Sequence, residues 1–454
     1  MADNLHIVIL AAGKGTRMYS KLPKVLHEIG GKPMVQRVIE TAQSLNPQSV
    51  SVVIGHGKEQ VLARVKADVN WVEQTEQLGT GHAVKMALPH LPENGRTLVL
   101  YGDVPLTDAA TLQTLLDAAG EEVGLLTDVL DNPTGYGRII REGGKVTAIV
   151  EEKDADAAQK AVKEVNTGIL VLPNAKLGAW LNSLQSNNAQ GEYYLTDLIA
   201  LANSDGIAVH PVQVAASYLA AGVNNKVQLA ELERIFQSNQ AQDLLKAGVT
   251  LRDPARFDLR GRLKHGQDVV IDVNVVIEGD CELGDDVEIG ANCVLKNAKV
   301  AAGTKIAAFS HLEDCRVGAN AQIGPYARLR PNAVLGDDVH IGNFVEVKNA
   351  VLGQGSKANH LTYIGDAEIG RKTNIGAGTI TANYDGVNKY RTVIGDEVRI
   401  GSNTVLVAPV TVGDKATTGA GSVITKTCEA GKLTIGRARQ TTIHGWIRPE
   451  KPAK

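Results

Sequence analysis

Two stretches of this chain hold side chains whose types and spacing can do chemistry. In the first, Gly13-Lys14-Gly15-Thr16-Arg17 follows the apolar run LHIVIL from Leu5 to Leu10, and Lys24 comes soon after in Leu22-Pro23-Lys24. Gly13 and Gly15 let backbone N–H groups approach phosphate oxygens, while Lys14, Arg17 and Lys24 bring positive charge. The loop lacks the third glycine of a dinucleotide fingerprint and the Gly-Lys-Ser/Thr of a P-loop. On its own it reads as a phosphate cradle or as a plain turn. Asp103 closes another apolar run, Thr97 to Tyr101 plus Gly102. A carboxylate there suits Mg²⁺ shared with substrate phosphates, and it also reads as a helix cap. In the second stretch, His360 stands in Lys357-Ala358-Asn359-His360-Leu361-Thr362-Tyr363. An imidazole can take a proton from an attacking amine near neutral pH. Glu346 is a candidate to orient that ring. Arg330, Lys348 and Tyr363 fall on nearby turns of a regular stack, where they make a cationic cup for a sugar phosphate. For an isolated histidine, the surface reading stands first.

The second stretch lies in the most regular part of the chain. Aliphatic residues return every six positions at Ile271, Ile277, Leu283, Ile289 and Leu295, slip to five at Val300, and resume from Ile306 as far as Val412. Glycine often follows, as in Ile289-Gly290 and Ile400-Gly401. That period fits neither a helix nor an alternating strand. It fits a parallel β-helix, whose coils of three flat strands put one aliphatic side chain inward per hexad, with Gly or Asn at the corners. Coils stack about 4.8 Å apart, as neighbouring strands do. An antiparallel sandwich does not hold such a frame for so long. From Thr381 to Val393 the marks vanish, so that segment is expected to loop outward, carrying Asn383, Tyr384 and Asp385 toward a ligand or a neighbouring subunit.

The first stretch needs a different scaffold. Helical patterns at Met34 to Leu45, Lys58 to Lys66 and His82 to Ala87 alternate with apolar strands at Leu5 to Leu10, Ser51 to Ile54 and Thr97 to Tyr101. That alternation gives a mainly parallel sheet whose ligands collect at the strand carboxyl ends. Between the halves, Lys226 to Ala247 has no Gly or Pro and ends at Gly248, a good residue just past a helix end. Asn225 with Gln228 can form a capping box. The weak amphipathicity of this helix predicts little burial along it. Leu251 to Leu263 is expected to lead into the β-helix.

Composition narrows the class. A chain of 454 residues suggests two or three domains. A net charge of −3, from 47 basic and 50 acidic residues, lacks the positive bias of a nucleic-acid binder. Cys281, Cys293, Cys315 and Cys428 form no CxxC pair and no zinc spacing, which points to reduced thiols. No apolar run reaches the roughly 18 residues of a membrane span. The start, MADN, has no basic segment, and His6 to Ala12 is short for a signal core. The expectation is a soluble cytoplasmic protein. The tail after Ile424 is basic through Lys426, Lys432, Arg437, Arg439, Arg448, Lys451 and Lys454. It suits an anionic ligand such as coenzyme A, or is an ordinary charged tail. His265, His311, His340 and His360 are too scattered in phase for a three-histidine zinc site.

Larger motifs carry a resemblance. Leu10 to Met18 (LAAGKGTRM), Leu22-Pro23-Lys24, Gln77 to Gly81 and Tyr101-Gly102-Asp103 resemble the sugar-1-phosphate nucleotidyltransferases. Pro133 to Arg138, Val150-Glu151, Asn166-Thr167-Gly168 and Gly222 to Asn225, together with HLTYIGD, NIGAGTI and ANYDG, are similar to one group among them. This is the bacterial bifunctional N-acetylglucosamine-1-phosphate uridyltransferase/glucosamine-1-phosphate acetyltransferase family, and the likeness runs almost end to end. It implies a Rossmann-like uridyltransferase domain over 1–226, a linker helix over 227–248 and a left-handed β-helix acetyltransferase domain with its tail over 249–454. It places nucleotide and loop contacts at Leu10, Ala11, Ala12, Gly13, Gln74, Gly79, Thr80, Tyr101 and Gly102, and phosphate contacts at Arg17 and Lys24. Mg²⁺ ligands fall at Asp103 and Asn224, and sugar contacts at Gly137, Glu151 and Asn166. In the other half, His360 becomes the base, with sugar-phosphate contacts at Arg330, Lys348, Tyr363 and Asn374. Acetyl-CoA contacts fall at Ala377, Asn383, Tyr384, Ser402, Ala420 and Arg437. The implied substrates are glucosamine-1-phosphate, acetyl-CoA, N-acetylglucosamine-1-phosphate and UTP. The implied product is a wall and envelope precursor, and the implied assembly is a homotrimer with acetyl-transfer sites at subunit boundaries. A β-helix serving only for regulation or assembly, and a non-enzymatic trimeric scaffold, are the rival readings.

Overall fold

The computed structural model describes residues 4–451; Met1, Ala2 and Asp3 of the N-terminal reading and Lys454 of the basic tail lie outside it. The chain divides into two compact units, 1–237 and 238–454, and the division falls inside the helix Lys226–Lys246.

The first unit is built on a nine-stranded sheet. Its strand Leu5–Ala11 is buried at every position. Leu5, Ile7, Ile9 and Ala11 feed one apolar cluster and Val8 and Leu10 another, because helices cover both faces of the sheet. Leu5–Ala11 runs parallel to Ser49–Ile54 on one side and to Arg96–Tyr101 on the other. The connections therefore leave this central strand in opposite directions. The carboxyl edge at such a switch point is where an open α/β sheet makes its crevice. One strand, Glu164–Pro173, runs antiparallel to both of its sheet neighbours and carries the hairpin Arg138–Glu142 and Lys145–Val150.

The second unit is a left-handed parallel β-helix. Its first face is an eleven-stranded sheet from Thr250–Leu251 to Leu433–Thr434, and the other two faces share one seventeen-stranded sheet. The hexad aliphatics are its core. Ile271, Ile289, Ile306, Ile323 and Ile341 stack in register on the first face, with Ala358 next in the row. The five-residue step seen at Val300 recurs at Val317, Leu352 and Ile369, always between the second and third faces. There Asn297, Asp314, Asn349 and Asp366 turn at φ of 45–47°, residue types that tolerate the left-handed region.

Two expectations change. Phe257–His265 already pairs along its length with Val275–Leu283, so the β-helix begins before Ile271 rather than after a lead-in. The insertion is shorter than Thr381 to Val393. Ile380–Ala382 and Thr392–Ile394 pair as coil strands, and Thr381 itself fills an inward position at 1% exposure. The linker helix buries little, as its weak amphipathicity predicts: only Leu232, Gln237, Ala241 and Leu244 are fully buried. Leu232 packs with Met18, Ile29, Met34 and Val223 in the first unit, and Ala241 and Leu244 join the β-helix core. Its apolar positions are split between two cores and interrupted by buried Gln237, which flattens the amphipathic signal. The capping box is half formed: Asn225 Oδ1 accepts from Gln228 N at 2.9 Å, but the Gln228 side chain reaches back to Asn224 N at 2.8 Å.

Two candidate active sites

The first site is a cavity of about 550 Å³ at the carboxyl edge of the first unit's sheet. Leu10 pairs with Tyr101, so the loop after the first strand and Asp103 leave the sheet side by side. Gly15, at φ 60°, lies so close to Lys24 that a Cβ would meet the lysine Cβ at 2.5 Å. That approach brings Lys24 across the loop. Its amine donates to Asp103 and, at 3.3 Å, to Asn224 Oδ1, which also accepts from Arg17 at 3.0 Å. Asn224 is held by the Val223 N–H, which donates to the Asp103 carbonyl at 2.9 Å. Arg17, Lys24, Asp103 and Asn224 thus converge, although they are remote in sequence.

The same cavity is lined by Leu10, Ala11, Ala12, Gly13, Gln74, Gly79, Thr80 and Tyr101. Gly102 is pinned behind it by a bond from its N–H to the Leu10 carbonyl, 2.9 Å. Gly137, Glu151 and Asn166 form a second group. Asn166 N donates to the Gly137 carbonyl at 2.8 Å, and a Cβ on Gly137 would meet the Glu151 carboxylate at 3.4 Å. Burial pushes the Glu151 carboxyl up, helped by Asp154, Asp197 and Glu192 and opposed by the Thr196 hydroxyl, which donates to it at 3.1 Å. Tyr101 links the groups, since burial raises its phenol and the charges of Glu151 and Asp103 raise it further.

The donor set fits Mg²⁺. The Asp103 carboxylate and the Asn224 amide oxygen both accept from the Lys24 amine, and two such hard oxygen donors suit a cation that takes few protein ligands alongside phosphate and water. Among the described residues no three His, Cys, Asp or Glu side chains form a metal cage.

The second site lies on the β-helix. The outward row of the second face reads Arg260, Glu278, Lys296, Glu313 in register. Signs alternate, with ion pairs at 3.2 Å (Arg260–Glu278) and 2.8 Å (Lys296–Glu313). Then the alternation breaks: Arg330 and Lys348 follow, two cations in succession, and the next position in register is Gly365. A Cβ on Gly365 would meet the Tyr363 hydroxyl at 2.3 Å, so glycine there lets the phenol lie in the same row. Arg330, Lys348 and Tyr363 are therefore brought together. Glu346 is not a partner of His360; it accepts from Arg330 at 2.7 Å, since its strand belongs to the second face and His360 ends a strand of the first. His360 is exposed, and its ring makes no hydrogen bond among the described residues. Asn374 pairs with Lys357 and Arg399 on the first face, away from the cationic row.

Ala377, Ser402 and Ala420 stack on the vertex between these faces, joined by bonds from Asn403 N to the Ala377 carbonyl (2.7 Å) and Gly421 N to the Ser402 carbonyl (2.8 Å). Arg437 lies beside Gly421. Asn383 and Tyr384 sit at the opposite edge of the second face. The Asn383 amide is committed to Asp366, and Tyr384 points its hydroxyl to the Gly386 carbonyl at 2.5 Å.

Known proteins are similar over the whole of this architecture. A MobA-like NTP transferase domain matches residues 7–142, and a GMPPB C-terminal domain matches residues 260–343 and 313–418. Bifunctional protein GlmU of Neisseria meningitidis serogroup B is 78% identical over 450 residues, 99% of each chain. The chain belongs to the GlmU family. Bifunctional protein GlmU of Neisseria gonorrhoeae is 76% identical and that of Chromobacterium violaceum 65%, each over 99% of both chains. Within this GlmU-family chain, sequence reasoning overlooked Thr196, which holds Glu151, and Glu192, which lines the first cavity. Both come from Gly191 to Asp197, where two tyrosines stand between acids, the one local signal available.

Proposed function

We propose that the chain makes UDP-N-acetylglucosamine in two steps, and that what supports this most is coverage, since the GlmU likeness at 78% identity runs through both units and both sets of site residues. On the β-helix, Arg330, Lys348 and the Tyr363 hydroxyl hold the phosphate of glucosamine-1-phosphate. His360 takes the proton as the sugar amine attacks the thioester carbonyl of acetyl-CoA. The new C–N bond replaces the C–S bond, and the CoA thiol leaves with a proton. In the first unit, the phosphate oxygen of N-acetylglucosamine-1-phosphate attacks the α-phosphorus of UTP and pyrophosphate leaves. Lys24 and Arg17 balance charge on the phosphoryl oxygens, and Gly137, Glu151 and Asn166 orient the sugar. Asp103 and Asn224 would hold Mg²⁺, which supplies charge neutralisation at the phosphates.

One chain's acetyl-transfer set is divided. Arg330, Lys348 and Tyr363 sit on the second face, Asn374 on the first, and Asn383 and Tyr384 at the far edge. That division supports a homotrimer in which neighbouring copies complete each site. The four cysteines are buried and unpaired, and burial pushes the Cys293 and Cys315 thiols up to about 11 and about 12. Structural thiols of this kind support a reducing compartment, the cytoplasm. No helix among the described residues is long and apolar enough to cross a membrane. Assaying CoA release and pyrophosphate release in one purified sample tests the proposal; absence of either product overturns it.

A further inference from the structure

Arg138 closes the Pro133 to Arg138 motif, yet none of the roles above uses it. It opens the strand Arg138–Glu142, where it pairs with Val150 on one side and Val165 on the other. Both pairings are antiparallel, so the next position in register holds Gly137, Glu151 and Asn166 side by side. The arginine thus stands one residue from all three of the proposed sugar contacts. It is 2% exposed, deeper than any other charged residue among those described.

Its guanidinium is directed at the loop that leads to Gly137. One terminal nitrogen donates to the Tyr136 carbonyl. The other donates to Glu152 Oε2 at 2.6 Å and to the Lys160 carbonyl at 3.4 Å. Glu152 Oε2 in turn accepts from Gly135 N at 3.2 Å. Arginine and carboxylate therefore close on one stretch of backbone, at the Tyr136 carbonyl and the Gly135 N–H. The bond from Arg138, then that from Gly135, hold the Glu152 carboxyl below the usual carboxylate range. Packing gives the loop little else, since Asn132, Thr134 and Gly135 are exposed.

Stability alone does not account for a charge at this depth. Apolar residues of similar volume commonly replace a buried ion pair with no loss of stability. Here Arg138 Nε is also buried without a partner among the described residues, which adds to the cost. What an apolar side chain lacks is a fork of donors that holds a carbonyl and a carboxylate at once. We propose that Arg138, paired with Glu152, is a positioning residue for the sugar subsite. It fixes the backbone of residues 135–137 so that Gly137 meets the sugar phosphate in line with Glu151 and Asn166. This deepens the uridyl-transfer reading above and rests on it.

The test measures pyrophosphate release by the full chain while the sugar phosphate and UTP are varied in turn. Arg138→Lys keeps the charge but brings one nitrogen to several partners. It is expected to raise KM for the sugar phosphate about tenfold or more, with kcat and KM for UTP changed far less. Glu152→Ala, at a side chain 28% exposed, is expected to do the same. Glu152→Gln, which keeps an oxygen for Gly135 N and Arg138, recovers most of the loss. CoA release stays at its unaltered level in all three. A merely structural role predicts a lower melting temperature with KM for the sugar phosphate unchanged, or both KM values rising together, and either result overturns the proposal. Where Arg138→Lys misfolds, the Glu152 variants decide. Unaltered protein that releases no pyrophosphate from UTP and the sugar phosphate overturns the uridyl-transfer reading, and the clamp falls with it. An active unaltered protein whose KM survives Glu152→Ala overturns the clamp alone.

Discussion

At the scale of single residues, the proposed nucleotide site depends on one carboxylate. Asp103 is the anionic partner of Lys24 and, in the proposed function, one of the two oxygen donors to Mg²⁺. Asp103→Ala is therefore expected to cut pyrophosphate release at least about a hundredfold, in the range seen when preorganised charge stabilisation is removed. CoA release should stay near normal, and uridyl transfer retained at low Mg²⁺ would assign the metal to another residue. Glu151 allows a pH test. Its carboxyl is raised by burial, so the native state penalises its charged form. A raised carboxyl stabilises the fold below the ordinary Glu range, and that contribution is lost as pH rises through the native value. Glu151→Gln should thus be as stable as the unaltered protein or more so at pH 7, with the difference vanishing in acid, while KM for the sugar phosphate rises. Denaturant melts at both pH values check the sign. Asp103 and Lys24 were legible in sequence because each sits beside a strand end or a glycine loop. Thr196 was not, because its role exists only once Leu195–Asp197 folds back against Glu151.

At the scale of elements, the hexad frame announces the β-helix because every coil repeats the same inward position. What it hides are the local exceptions. Thr381 fills an inward place with a polar residue, and the linker helix buries side chains in two different cores. Neither feature has a period to be read. The helix gives a clean stability test, since Leu244 packs against the β-helix core at 8% exposure. Leu244→Ala should cost about 2–4 kcal/mol, the usual range for emptying a leucine site, in thermal unfolding of the second unit. The small-residue part of the vertex gives a functional one. Ala377, Ser402 and Ala420 continue the row of His360, and beside them the turn residues are Gly378, Asn403 and Gly421 where earlier coils carry Phe309, Tyr326, Phe344 and Leu361, leaving room for a ligand chain. Ala420→Phe should raise KM for acetyl-CoA about tenfold or more, a typical penalty for filling a shaped pocket. Unchanged KM would place the acetyl donor elsewhere.

At the scale of the whole molecule, the two proposed sites sit on separately packed units, so a change in one should be silent in the other. His360→Ala should slow acetyl transfer by roughly 10²–10⁴, as loss of a general base does, with pyrophosphate release untouched. The pH profile separates a chemical role from a structural one. The sugar amine is mostly protonated at low pH, and removing its proton is the step that needs a base. Activity in His360→Ala should therefore recover partly as pH rises, since free amine becomes abundant without help. His360 is exposed and its ring makes no hydrogen bond among the described residues, so its removal should leave the coil and the assembly intact. A packing role predicts the opposite pattern, in which the trimer weakens and higher pH restores nothing. Trimer fraction and the pH–rate profile measured on the same variant decide between them, and a stable trimer with unaltered acetyl transfer at pH 7 would exclude His360 as the base.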